Sequence, residues 1–283
     1  MKFTQYVILS ALSLFLATAC TEDLEMAPTF VLVEDFNLVT PNLEGSTSNI
    51  TEVWAFADNQ FVGAFSLPAR IPVFSAGETE VRLQPGVRRN GVSTTPDPYE
   101  FYAPAVRTLD LIPGETVDLG TLTVGYRQDV QFGFIENFEP QSDRVFVNRI
   151  AGTQDLMAQS EVVRSGDASG RFVLTEDQPL FELSSNVNLK NLFAVRPYVW
   201  LEVDFRSEAP IGWGVIGRRN GGEVRPFDPT SSPRDEWTKI YFDMTQIVAA
   251  SQLDEFEVYL TSILPAGEED AVVHIDNIRL LYF

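Results

Sequence analysis

Cysteine is almost missing from this chain of 283 residues: Cys20 is the only one. A disulfide scaffold and a multi-cysteine metal site are thereby excluded, and a cysteine nucleophile could be Cys20 alone. Histidine is as scarce, with His274 alone, and no Gly-x-Ser-x-Gly elbow stands ready for it to serve. Ser-His-Asp catalysis and histidine-rich metal sites therefore have nothing to be built from. Bases are outnumbered, 20 Lys+Arg against 40 Asp+Glu, and the net charge is −20. Both halves share the excess: 15 acids to 5 bases from Cys20 to Tyr126, and 25 to 14 from Arg127 onward. With no basic stripe to neutralise phosphates, nucleic acid is not expected as a partner. Anionic lipid headgroups would repel such a chain, and its charge suits solubility in a salty exterior. Amphipathic helical periodicity is also absent beyond the first twenty residues.

What is present begins with an address. Met1 and Lys2 give a short positive start, Val7 to Ala17 an apolar run, and Ala17-Thr18-Ala19-Cys20 a small-residue ending. The run is too short to span a bilayer and has the three regions of an export signal, residues 1–19. It resembles the lipobox of bacterial lipoproteins, with Ala17 standing where leucine is usual. That resemblance implies a diacylated Cys20 as first mature residue and a membrane held through lipid. Thr21-Glu22-Asp23-Leu24-Glu25 follows, in an acidic tether over 20–28. It is similar to the acidic stretch of Bacteroidota lipoproteins carried to the outer face of the outer membrane. Cell-surface exposure is thus the expectation, with the periplasmic face as the other reading.

The remainder reads as all-β, in two antiparallel sandwich domains. Short alternating runs separated by Gly, Pro, Asn and Asp fill 29–126. Val53 to Ala57, Asp58-Asn59 and Phe61 to Phe65 predict a hairpin, and Asn90-Gly91 a tight turn. With Leu67-Pro68 and Gly77 to Val81, these residues resemble small envelope sandwiches of the immunoglobulin-like, carboxypeptidase-regulatory or PEGA kind, which space or present other domains. Over 127–283, Phe138-Glu139, Ser165 to Phe172 and Asp276-Asn277-Ile278 come in an order similar to galactose-binding-like and carbohydrate-binding-module jelly rolls. One such fold hosts many functions.

Three constellations could carry function. Alternation in Val199 to Arg206 sends Val199, Leu201, Val203 and Phe205 inward and Trp200, Glu202, Asp204 and Arg206 outward. The same rule turns Lys239, Tyr241 and Asp243 outward, and Glu257, Tyr259 and Thr261 likewise. If these strands are neighbours, Trp200, Tyr241 and Tyr259 share one face with carboxylates and cations, a mixture that binds sugars. An ordinary solvated face, or one covered by loops with its aromatics packed across strands, gives the same pattern. Second, the jelly-roll resemblance implies a structural calcium between Glu139 and Asp276, against which stands a plain pair of exposed strand-end acids. Third, Gly212-Trp213-Gly214-Val215-Ile216-Gly217 matches a dinucleotide fingerprint in letters. No helix follows, however, so a glycine-rich strand ending in a hairpin is expected, with Trp213 a candidate loop aromatic beside a binding site.

The expected protein is a lipid-anchored, non-catalytic envelope module. No cofactor beyond that calcium is expected, and the preferred partner is a polysaccharide. A structural lipoprotein with envelope-protein partners is the alternative, and a glycosidase using paired carboxylates the third reading.

Overall fold

The computed structural model describes residues 27–41 and 45–283. The export signal, Cys20 and the acidic stretch 21–25 lie outside the described residues. Among those described, strands dominate, one short helix occurs, and no helix is long and apolar enough to cross a membrane.

The N-terminal part is built on β1 (Thr29–Val33) and β2 (Asp35–Leu38), whose alternating residues Val31, Val33, Phe36 and Leu38 are buried. β3 (Glu52–Ala57) and β4 (Gln60–Ser66) form the expected hairpin, its turn held by Asp58 and Asn59 at φ of 46° and 65°. Short polar side chains tolerate that left-handed backbone best after glycine. β5 (Ala69–Val73) pairs with β1, and the twelve-residue β6 (Gly77–Arg88) pairs with β3, β7 (Pro96–Pro98) and β8 (Ala105–Leu111). β9 (Thr116–Asp118) and β10 (Thr121–Val124) run parallel to β1 and β2. This sandwich is therefore antiparallel except where its first and last segments meet.

Two sheets face each other in the C-terminal part. One has the order β13 (Met157–Gln159), β14 (Ser169–Thr175), β23 (Asp270–Tyr282), β17 (Val199–Ser207), β21 (Arg234–Asp243), with β11 (Gln131–Glu136) also on β23. The other has β12 (Phe146–Ala151), β15 (Leu180–Ser185), β22 (Glu255–Ile263), β18 (Ile211–Arg219), β19 (Gly222–Val224), with β16 (Leu189–Lys190) on β22 and β20 (Phe227–Ser231) on β18. Helix α1 (Thr245–Ser251) links β21 to β22. Phe172 stacks on Phe181 between the sheets at 3.8 Å. The alternation of β17 holds: Val199, Leu201, Val203 and Phe205 are at most 1% exposed and belong to this core.

The N-terminal core does not end at its own strands. Trp200, Tyr241, Leu281 and Phe283, all from the C-terminal part, belong to it. Phe101 stacks on Phe283 at 4.8 Å, and Tyr99 meets Tyr241 and Trp200 at 4.9 and 5.4 Å, edge to face. Each buried aromatic of this kind contributes roughly 1.5–3 kcal/mol, so the first sandwich sits on the outer face of the second through a true core. The Asn90-Gly91 turn clasps the sheet edge: Asn90 N–H donates to Tyr241 O at 2.8 Å, and Asp243 N–H donates to Asn90 Oδ1 at 2.9 Å. An otherwise open strand edge is thereby covered.

Candidate functional site

The outer face of the sheet containing β23, β17 and β21 is a ladder of cross-strand rows. Leu281, Trp200 and Asp243 form the first, Arg279, Glu202 and Tyr241 the second, Asp276, Asp204 and Lys239 the third. His274 and Arg206 form the fourth, extended by Arg171 on β14. Asn277, at φ 47°, makes a bulge that slips the register between the second and third rows. That slip puts Arg279 and Asp276 on one face although they are three residues apart.

The first sandwich closes the upper rows, and this corrects the sequence reading. Trp200 is 6% exposed, Tyr241 1%, Lys239 2%, and Glu202 and Asp204 0%. Glu202 accepts hydrogen bonds from Tyr99 Oη and Tyr126 Oη, both at 2.8 Å, and pairs with Lys239 Nζ at 3.0 Å. Arg279 Nη1 lies 3.9 Å from the same carboxylate. Lys239 also reaches Asp204 at 3.6 Å, while Thr47 Oγ1 donates to Asp204 and Arg164 approaches it at 3.4 Å from the rim. Burial, and next the Glu202 charge, push the phenols of Tyr99, Tyr102 and Tyr126 well above the ordinary tyrosine range, so they remain donors. Charges taken out of water must be paired, and here each faces an opposite charge, although Asp204 Oδ1 accepts no hydrogen bond among the described residues. Trp200, Glu202, Asp204, Lys239 and Tyr241, expected to hold a sugar, instead hold the two sandwiches together.

Tyr259 and Trp213 are placed elsewhere. Tyr259 lies on β22, in the opposite sheet, 2% exposed, with its hydroxyl donating to Arg225 O at 3.1 Å. Trp213 is 0% exposed on β18, in the core against Phe146 and Phe242. The surrounding glycines suit a strand: a Cβ on Gly214 would fall 2.4 Å from Pro226 O and 2.5 Å from the Tyr259 ring. The expected hairpin follows, turning at Asn220-Gly221.

Glu139 and Asp276 grip one turn from either side. Glu139 accepts from Asp167 N–H at 3.0 and 3.2 Å, and Asp276 from Ser165 N–H at 3.2 Å and Asn277 N–H at 2.8 Å. Between them Gly166 has φ 71°, and a Cβ there would sit 2.0 Å from Glu139 Oε1. Burial pushes the Asp276 carboxyl up to about 7, against the pull of those amides. Two carboxylates facing N–H donors do not make an oxygen cage for a hard cation. Among the described residues no group of three or more His, Cys, Asp or Glu could hold a metal.

The fourth row is open. Arg206 remains exposed, as the alternation requires, and with Arg171, His274, Arg234, Glu208 and Asp235 it borders a cavity of about 850 Å³. Arg171 and Arg206 flank His274 as its register partners on the two neighbouring strands. His274 is 8% exposed, and its Nδ1 is buried without a hydrogen-bond partner. Burial, then Arg171 and Arg206, lower its pKa against the smaller opposing pull of Glu208. The half-buried Trp237 ring stands 6.3 Å from the imidazole. In the sequence His274 is weighed only as a catalytic or metal-binding residue, and Arg171, Arg234 and Trp237 are not reached. The available signal was that Arg206 alternates onto the same face as His274.

These features define a two-sheet β-sandwich protein whose outer sheet face is part closed and part open. No protein-family model matches the chain, and no curated protein matches it. Among solved structures it is similar to a carbohydrate-binding module of the β-sandwich superfamily, studied for promiscuous specificity. The two are 12% identical with a TM-score of 0.39, covering 90% of this chain and 98% of that one. It is also similar to the family 30 carbohydrate-binding module of a cellulosomal cellulase of Clostridium thermocellum, at 13% identity and TM-score 0.37, covering 52% and 96%. A third is a module in complex with β-1,4-galactotriose, at 11% and 0.27, covering 43% and 74%. At these values the likeness assigns no residue a role.

Proposed function

We propose that this protein is a non-catalytic glycan-binding module, tethered to the outer membrane through a lipid on Cys20 and turned to the cell surface. The observation that carries the binding half is the open fourth row. A cavity of about 850 Å³ is within the range of small-ligand sites. Guanidiniums, carboxylates and the His274 imidazole line it, and the half-buried Trp237 ring stands 6.3 Å from that imidazole, outside the lining itself. Hydroxyl-rich ligands need hydrogen-bonding groups at the rim, which this lining supplies, and an apolar surface for their C–H faces, for which Trp237 is the nearest aromatic by way of His274.

A glycan panel read by affinity electrophoresis tests this, with Trp237→Ala as the paired variant. The wild type binds at least one polysaccharide without hydrolysing it, and Trp237→Ala weakens that binding about tenfold or more, as loss of an aromatic contact does. Silence across the panel, or equal binding by both proteins, removes the open row as a glycan site. A stoichiometric protein co-purifying from detergent-solubilised membranes, with no glycan bound, would favour the structural reading.

A further inference from the structure

We infer that the glycan recognised at the open row carries an acid group, the carboxylate of a uronic acid or a sulfate ester, held by Arg171, Arg206 and Arg234. This rests on the glycan reading and narrows it. The chain has 17 arginines and an excess of acids, so a guanidinium without a partner is unusual here. Nine arginines make ion pairs. Five more are engaged otherwise: Arg70 and Arg82 over phenylalanine rings, Arg107, Arg218 and Arg219 with backbone carbonyls. The three that remain have no ion pair, side-chain hydrogen bond or ring contact among the described residues, and all three line the same cavity.

Carboxylates are present there but are not matched to them. Glu208 is spent on Val272 N–H at 2.7 Å, and neither Glu161 nor Asp235 comes within the 4.0 Å of an ion pair to any guanidinium. They do not converge as a cation site either. Adjacent strands lie about 4.8 Å apart, so Arg171 and Arg206, one strand away on each side of His274, stand roughly 10 Å apart at the backbone. Long guanidinium side chains close that gap onto one oxyanion and bind it through paired N–H groups. A neutral sugar would leave these charges as they are, whereas a carboxylate or sulfate supplies the partner they lack among the described residues.

The test uses the full mature chain and two matched pairs of polymers: polygalacturonate with its methyl ester, and dextran sulfate with dextran. Within each pair the backbone is constant and the charge changes, so the pairs separate carboxylate from sulfate recognition. Binding to at least one charged member is expected to exceed its neutral partner by tenfold or more. Arg206→Ala and Arg171→Ala, both at exposed positions, are expected to lose most of that preference while keeping the wild-type melting temperature. Arg149→Ala, which breaks an exposed ion pair elsewhere, keeps it. Equal binding within both pairs, or a preference untouched by the two variants, overturns the acid-group inference and leaves the glycan reading standing. Failure to bind any glycan overturns both. Polyglutamate bound as tightly as the charged polysaccharides, through the same arginines, also overturns it, because the row would then read charge without the sugar.

Discussion

Glu202→Ala is expected to destabilise the whole protein by about 3–5 kcal/mol, the cost of breaking a buried ion pair from one side. Three donors converge on this carboxylate, the hydroxyls of Tyr99 and Tyr126 from the first sandwich and the Lys239 ammonium from the second, with the Arg279 charge 3.9 Å away. None of the three charged side chains is exposed. Removing the acceptor leaves two phenols unsatisfied and an ammonium with only Asp204 and Thr47 as partners. Each buried group left without a partner costs roughly 1–3 kcal/mol. Glu202→Gln keeps the volume but loses the charge and one of two acceptor oxygens, so it should fall between wild type and alanine. Because the donors come from both sandwiches, urea unfolding followed by tryptophan fluorescence and by circular dichroism should stay a single transition in the wild type. A loss below about 1 kcal/mol, or one sandwich unfolding while the other keeps its midpoint, would show that the cluster does not weld them.

Cys20→Ser is expected to move the protein from the membrane to the soluble fraction almost completely. A chain of net charge −20 is repelled by anionic headgroups, so in the proposed arrangement the acyl chains on Cys20 are what holds it there. Each buried methylene of a lipid contributes about 0.8 kcal/mol, and two or more chains are needed for stable anchoring. Metabolic labelling with an alkyne fatty acid, followed by fractionation, reads the result: label and pelleting in the wild type, neither in the variant. Pelleting without Cys20 would refute lipid anchoring.

The strands were legible because burial on one face imposes alternation, and the inward residues of β17, β21 and β22 follow it. What alternation cannot give is which sheet a strand joins or what lies over its outer face. Tyr259 was grouped with Trp200 on that account, although β22 pairs with β15, β16 and β18 in the opposite sheet. The covering of Trp200, Glu202 and Tyr241 depends on Tyr99, Phe101 and Tyr102, about a hundred residues earlier, and no local pattern announces that contact. A hint was present: an outward stripe carrying Trp, Glu, Asp, Lys and Tyr suits a covered polar network as well as a sugar face. Asn90-Gly91 announced its turn, but not that the turn would cap β21. The fourth row escaped notice because its members come from β14, β17, β21 and β23, which only the folded sheet brings together.

Hydroxyl-radical footprinting of the full chain, with and without polygalacturonate or dextran sulfate, tests the division of this face most directly. Trp237 is expected to be oxidised in the free protein and protected by whichever polymer binds, while Trp200, Tyr99 and Tyr241 stay unlabelled throughout. Rapid labelling of Trp200 or Tyr241 in the free protein, or ligand protection appearing there and not at Trp237, would contradict the account.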